Sequence, residues 1–198
     1  MTFDPAGLRR AVRIVALLNL AYFAIEFAVA VRIGSVSLLA DSADFFEDAA
    51  VNFLIVAALG WGAVRRAKVG MLLSAILLAP AIAFLWTLLH KLGTPVAPDA
   101  LSLSLTGLGA LAINLIAAVL LARHRRHGGS LAKAAWLSAR NDALANIAII
   151  TAGLVTLRFP SIWPDVIVGL GIAVMNLDAA KEVWTAAREE HRLADAQP

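Results

Sequence analysis

Apolar residues run along this chain in long blocks, not in the alternation of strands or the narrow stripe of a surface helix. Six blocks stand out, at 11–31, 38–62, 69–89, 101–122, 132–157 and 164–186. Each is long enough for a helix to cross hydrocarbon roughly 30 Å thick, which takes about 20 residues. The third and fourth hold no charged residue. Short polar or basic stretches separate the blocks. The pattern predicts an all-α membrane protein of six transmembrane helices, with a short tail at 1–8, one membrane domain at 9–187 and a second short tail at 188–198.

Composition agrees. Of 198 residues, 61% are hydrophobic and 16% charged, and the mean hydropathy is +0.80. Soluble domains have about a quarter of their residues charged. Little chain is left for a soluble domain. The absence of cysteine excludes disulfides and thiolate metal sites.

Charge adds orientation. The basic excess, 17 Lys and Arg against 14 Asp and Glu, could suggest nucleic acid, but its distribution argues against that partner. Arg9, Arg10 and Arg13 lie at the start of the first block. Arg65, Arg66 and Lys68 lie between the second and third. Arg123, Arg125 and Arg126 lie between the fourth and fifth, with Lys133 at the start of the fifth, and Lys181, Arg188 and Arg192 lie at the end of the sixth and beyond it. The other side holds Arg32, Lys91 and Arg158. The positive-inside rule places both termini in the cytoplasm. The first block contains Asn19 and Glu26 and leads straight into the second, so it reads as a retained helix and not as a signal peptide.

The second block carries the chemistry. Residues 41–48 read Asp-Ser-Ala-Asp-Phe-Phe-Glu-Asp. A charge at mid-bilayer costs roughly 2.5–3.5 kcal/mol on insertion scales, and such groups face a bundle interior or water. At about 100° per residue, Asp48, Asp41 and Asn52 fall within about 80° of Asp44 on one face, and Glu47 falls about 60° to the other side. Asp41 is nearest the outer end of its helix, where capping is open to it. Asp44 and Asp48 have no such end nearby. Glu47 can pair with Arg140 or face a cleft.

The fifth block repeats the device. Ser138, Asp142 and Asn146 follow i, i+4, i+8, and Asp142-Ala-Leu-Ala-Asn146 nearly copies Asp48-Ala-Ala-Val-Asn52. Each lies in the middle helix of a three-helix half. Halves with an odd number of spans insert in opposite senses, so the arrangement predicts two inverted three-helix halves with a site at their midplane interface. Carboxylates gathered there repel one another when empty, so protons compete with a divalent cation for them.

Three stretches resemble the cation diffusion facilitators, a family of metal–proton antiporters. They are Gly34-Ser-Val-Ser-Leu-Leu-Ala-Asp-Ser-Ala-Asp-Phe-Phe-Glu-Asp48, Trp136-Leu-Ser-Ala-Arg-Asn-Asp-Ala-Leu-Ala-Asn146 and Trp163-Pro-Asp-Val-Ile-Val-Gly-Leu-Gly-Ile-Ala173. The resemblance runs from Arg9 to Arg188. It implies metal-ligand pairs four residues apart on helices two and five, here Asp44/Asp48 and Ser138/Asp142. Ser138 stands where the family has His or Asp, which makes Asn52 and Asn146 further candidates for the fourth position. The resemblance favours zinc, with manganese, cobalt, cadmium or iron as alternatives. An all-oxygen donor set suits harder ions such as Mn²⁺ or Mg²⁺. The family's usual cytoplasmic domain has no counterpart after helix six, which leaves open a homodimer through the membrane domain or no dimer at all.

The expected function is therefore secondary active export of a divalent cation from the cytoplasm in exchange for protons, in the lipid bilayer of a bacterial inner membrane, with no cofactor beyond the transported ion. Two rivals are a non-transporting membrane subunit or metal sensor of the same fold, and a proton-coupled exporter of organic cations. No phosphate loop, HExxH or GxSxG is present, so neither an ATP motor nor a hydrolase is expected, and the protein is not expected to be an enzyme. Among weaker features, His124 and His127 sit in a basic loop. Asn19, Asn114 and Asn176 suit bonds between helices. Asp178 can pair with Lys181, and Asp165 suits the first turn of helix six. Glu26 can line an exit path or bond within the bundle. Trp61, Trp163 and Trp184 suit the membrane interface.

Overall fold

The structure is a computed structural model and describes residues 5–58, 78–122 and 129–175. Among the described residues there are six helices and no strand: α1 Pro5–Ile33, α2 Val36–Ala58, α3 Leu78–Gly93, α4 Ala100–Ala122, α5 Gly129–Arg158 and α6 Trp163–Met175. Residues 123–128, with His124 and His127, lie outside the described residues. So do Trp61, Asn176, Asp178, Lys181 and Trp184.

Local chemistry sets the helix ends. Gly34 has φ 64°, the left-handed conformation that ends a helix at low cost, and the Ser35 N–H donates back to the Ala30 carbonyl at 3.0 Å. Ser35 then caps α2, its Oγ accepting from the Leu38 N–H at 3.2 Å. Capping thus falls to Ser35. Asp41, placed by sequence where it could cap, lies a turn and a half inside the helix and is fully buried. Asp99 caps α4 through a 2.8 Å bond from the Ser102 N–H. That bond holds the exposed Asp99 carboxyl below the usual aspartate range. Pro160 stops α5 soon after Arg158.

The burial pattern is inverted relative to a soluble protein. α4 turns Thr106, Gly107, Ala110, Asn114 and Ala117 inward, with Leu103 and Leu121. Its Leu101, Leu105, Leu108, Leu115 and Val119 are more than half exposed. Small and polar residues inside with leucines outside is the packing logic of helices in lipid. Ala6–Ile33 and Ala100–Ala122 are each long and apolar enough to cross a membrane. α2 differs from both in carrying four acids within its length.

α1 packs along α2 and α4 packs along α5, each far more extensively than α2 meets α5. α1 also crosses α4. One apolar cluster joins five helices through Ala30, Leu38, Leu39, Leu103, Ile149 and Ile172. A second joins Val12, Val15, Ala117, Leu121 and Ala139.

α6 docks on the start of α2. Gly169 lies against the Val36 and Ser37 backbone, where an added Cβ would meet atoms at 2.8 Å. Asp165 completes this joint. It does sit in the first turn of its own helix, but its carboxylate serves α2. It accepts from Ser35 Oγ at 2.7 Å, Val36 N–H at 2.9 Å, Ser37 N–H at 3.1 Å and Ser37 Oγ at 2.7 Å. Lys91, also buried, pairs with it at 2.8 Å and donates to the Gly34 carbonyl at 2.5 Å. The third apolar block was expected to end at 89. Its helix continues to Gly93 because the Lys91 charge is neutralised inside the fold.

Candidate cation site

α2 brings Asp41, Asp44 and Asp48 into the bundle on one face, as the helical spacing requires. Asp41 is fully buried, and Asp44, Glu47 and Asp48 are half-buried. Across the seam stands α5 with Asp142 and Asn146. Of the acids around Asp44, Asp142 acts on it most strongly, ahead of Asp41, Asp48 and Glu47. Two acids 98 residues apart in sequence are therefore neighbours. Among the described residues no three acids or histidines converge closely enough to hold one ion. Asp44 and Asp142 are close enough to repel each other across the seam, and Asp48 stands one turn further along α2.

Amides frame the acids. Asn19 of α1 donates to Asp48 Oδ2 at 3.3 Å. Asn114 of α4 donates to Asn146 Oδ1 at 3.0 Å, and Asn146 Nδ2 donates to Asp41 Oδ2 at 2.6 Å. Asn19 and Asn114 thus bond between helices, as their type suggested. The two repeated asparagines differ. Asn52 Nδ2 donates to its own helix at the Asp48 carbonyl, 2.7 Å away, while its buried Oδ1 has no partner. Asn146 is engaged at both ends. Ser138 is on α5 one turn before Asp142, and its side chain lies outside the described residues. Arg140 is exposed and donates to Asn141.

Two residues that the helix-two and helix-five motifs do not contain join this group. Glu26 of α1 is fully buried, with its carboxyl beside that of Asp41. Tyr22, one turn earlier, donates its hydroxyl to the Thr106 carbonyl at 2.6 Å and rests against Gly109 of α4. Intramembrane acidity is a signal for Glu26. Nothing in the sequence marks Tyr22 except that it is the one tyrosine.

The arrangement sets acids on two separately packed helix pairs, inside an apolar exterior. The family model of the cation efflux transmembrane domain matches residues 12–189. The chain belongs to the cation efflux family. It is an integral membrane protein and a cation transporter of the cation diffusion facilitator type. The matched span includes every acid of the site and all of α2 to α6. No curated protein matches the sequence.

Proposed function

We propose that this cation efflux protein exports a divalent metal cation from the cytoplasm in exchange for protons. Asp44, Asp48 and Asp142 bind the ion. The fourth position is filled by the unpartnered oxygen of Asn52, by Ser138 or by water. Asn146, held by Asp41 and Asn114, positions its neighbours instead. The placing of Asp44 and Asp142 within electrostatic reach of each other, on opposite sides of the sparse α2–α5 seam, supports this reading.

A carrier must expose one site alternately to two sides. Two well-packed pairs, α1–α2 and α4–α5, can shift as bodies where the contact between them is thin. Such a shift brings the three carboxylates together around an ion or parts them. Parted, each acid is a site for a proton, which gives exchange without any ATP chemistry. The six-span topology with both termini cytoplasmic follows from the distribution of basic residues. Zinc is favoured by the family resemblance, and manganese is the next ion to test because every donor is oxygen.

The experiment is uptake into proteoliposomes under an imposed pH gradient with Zn²⁺, Mn²⁺, Co²⁺, Cd²⁺ and Fe²⁺. Flux of one ion, reduced to background by Asp48→Ala and by Asp142→Ala in folded protein, is expected. Normal flux in either variant would sink the assignment. Metal binding without flux would turn the reading to a non-transporting subunit or sensor.

A further inference from the structure

Glu26 and Asp41 have no role in the motif-based site, yet they are its most buried acids. Both are fully buried, one on α1 and one on α2, with their carboxyl groups side by side. Asp41 Oδ2 accepts from the Asn146 amide. The two carboxyl groups bond to each other, and no other group donates to Glu26 Oε1, Glu26 Oε2 or Asp41 Oδ1. Among the described residues no Lys, Arg or His reaches them. Tyr22 is adjacent, but its hydroxyl is committed to Thr106.

Two buried carboxyl groups with no counter-charge beside them are costly unless a proton or another cation sits between them, and a divalent cation competes with that proton for the place. Asn114 orients Asn146, and Asn146 gives its N–H to one oxygen of Asp41. Asp41 lies three residues before Asp44 and seven before Asp48, or about 5 and 10 Å along the helix, on the side of the α1–α2 turn.

We infer that Glu26 and Asp41 form a second binding site for the transported divalent cation, a station between the Asp44–Asp48–Asp142 site and the α1–α2 turn end of the molecule. The inference rests on the proposed transport function and adds a step to it. Two acids, where the first site has three, make a weaker site, and its all-oxygen donors suit Mn²⁺ best among the ions named. An ion arriving there repels one at the first site, so occupancy of two nearby weak sites speeds release, as in multi-site conduction.

The test counts Mn²⁺ bound per chain in nanodiscs, by electron paramagnetic resonance of the free ion, in wild type, Glu26→Gln, Asp142→Ala and the double variant. Wild type is expected to bind two ions, the second more weakly. Each single variant should bind one and the double variant none. A count that Glu26→Gln leaves unchanged would overturn the second site and make Glu26 and Asp41 a carboxyl pair sharing a proton. A count lowered by Glu26→Gln but untouched by Asp142→Ala would keep the second site and sink the first. Elution profile and melting temperature check folding. If Glu26→Gln does not fold, Asp41→Asn reads the same loss, because it keeps an oxygen for Asn146.

Discussion

Two buried acid clusters lie near the start of α2 and are built in opposite ways. Asp165 has five donors, from Ser35, Val36, Ser37 and Lys91, and a full counter-charge. Glu26 and Asp41 bond to each other, have one donor from outside the pair and have no counter-charge. Both are sealed from solvent, so burial alone does not separate them. Satisfaction does. A carboxylate whose bonds are all made is a joint, which here locks α2 to α3 and α6. A carboxylate whose bonds are withheld is a place for a ligand, because the fold leaves its desolvation cost to be met by an ion.

The comparison breaks first at Lys91. Removing one partner of a buried pair costs roughly 3–5 kcal/mol, since the other charge stays buried. Lys91→Met should therefore lower the melting temperature sharply or prevent folding, and Asp165→Leu added to it should restore part of the loss. A Lys91→Met protein as stable as wild type would deny the joint.

Asn146→Ala should cost less, about 0.6–1.5 kcal/mol, because one interhelical amide bond in a membrane protein is worth little more. It should also weaken ion binding by freeing Asp41 to rotate. Denaturant unfolding in micelles measures the first effect and Mn²⁺ titration the second. Glu26→Gln should leave stability within about 0.5 kcal/mol of wild type, since the glutamine amide can still donate to Asp41. A large loss of stability would place Glu26 with the joints.

The smallest effect concerns Asp99, outside the membrane segments. Its carboxyl is held below the ordinary aspartate value by its bonds to Ser102. A lowered folded value means that the cap contributes fully above the unfolded aspartate value and fades as pH falls through the folded one. An NMR titration of the Asp99 carboxyl should show a midpoint below that of a peptide aspartate. An ordinary midpoint would remove the cap.

Sequence pattern reached the helices well, because long apolar blocks have one solution in lipid. It put Asp44 and Asp48 on one face of α2 and Asp142 on α5, because helical spacing places residues on faces without any knowledge of packing. It misread Asp41 as a candidate cap because distance from a helix end is visible in sequence and the Ser35 geometry is not. It could not distinguish Asn52 from Asn146. Both occupy the same place in a five-residue repeat, but the neighbours of each decide what it bonds. It left Lys91 among the charges of one face and Asp165 to its own helix, since their pairing spans 74 residues.

The sequence by itself determined the helical class, the membrane setting and the placing of acids within the apolar helices. These depend on period, hydropathy and residue type, which act locally. Tertiary structure alone decided which acid is satisfied and which is not. That turns on whether a lysine from α3, an amide from α5 or nothing at all reaches a given oxygen, and only the packed bundle brings those groups within 3 Å or keeps them away.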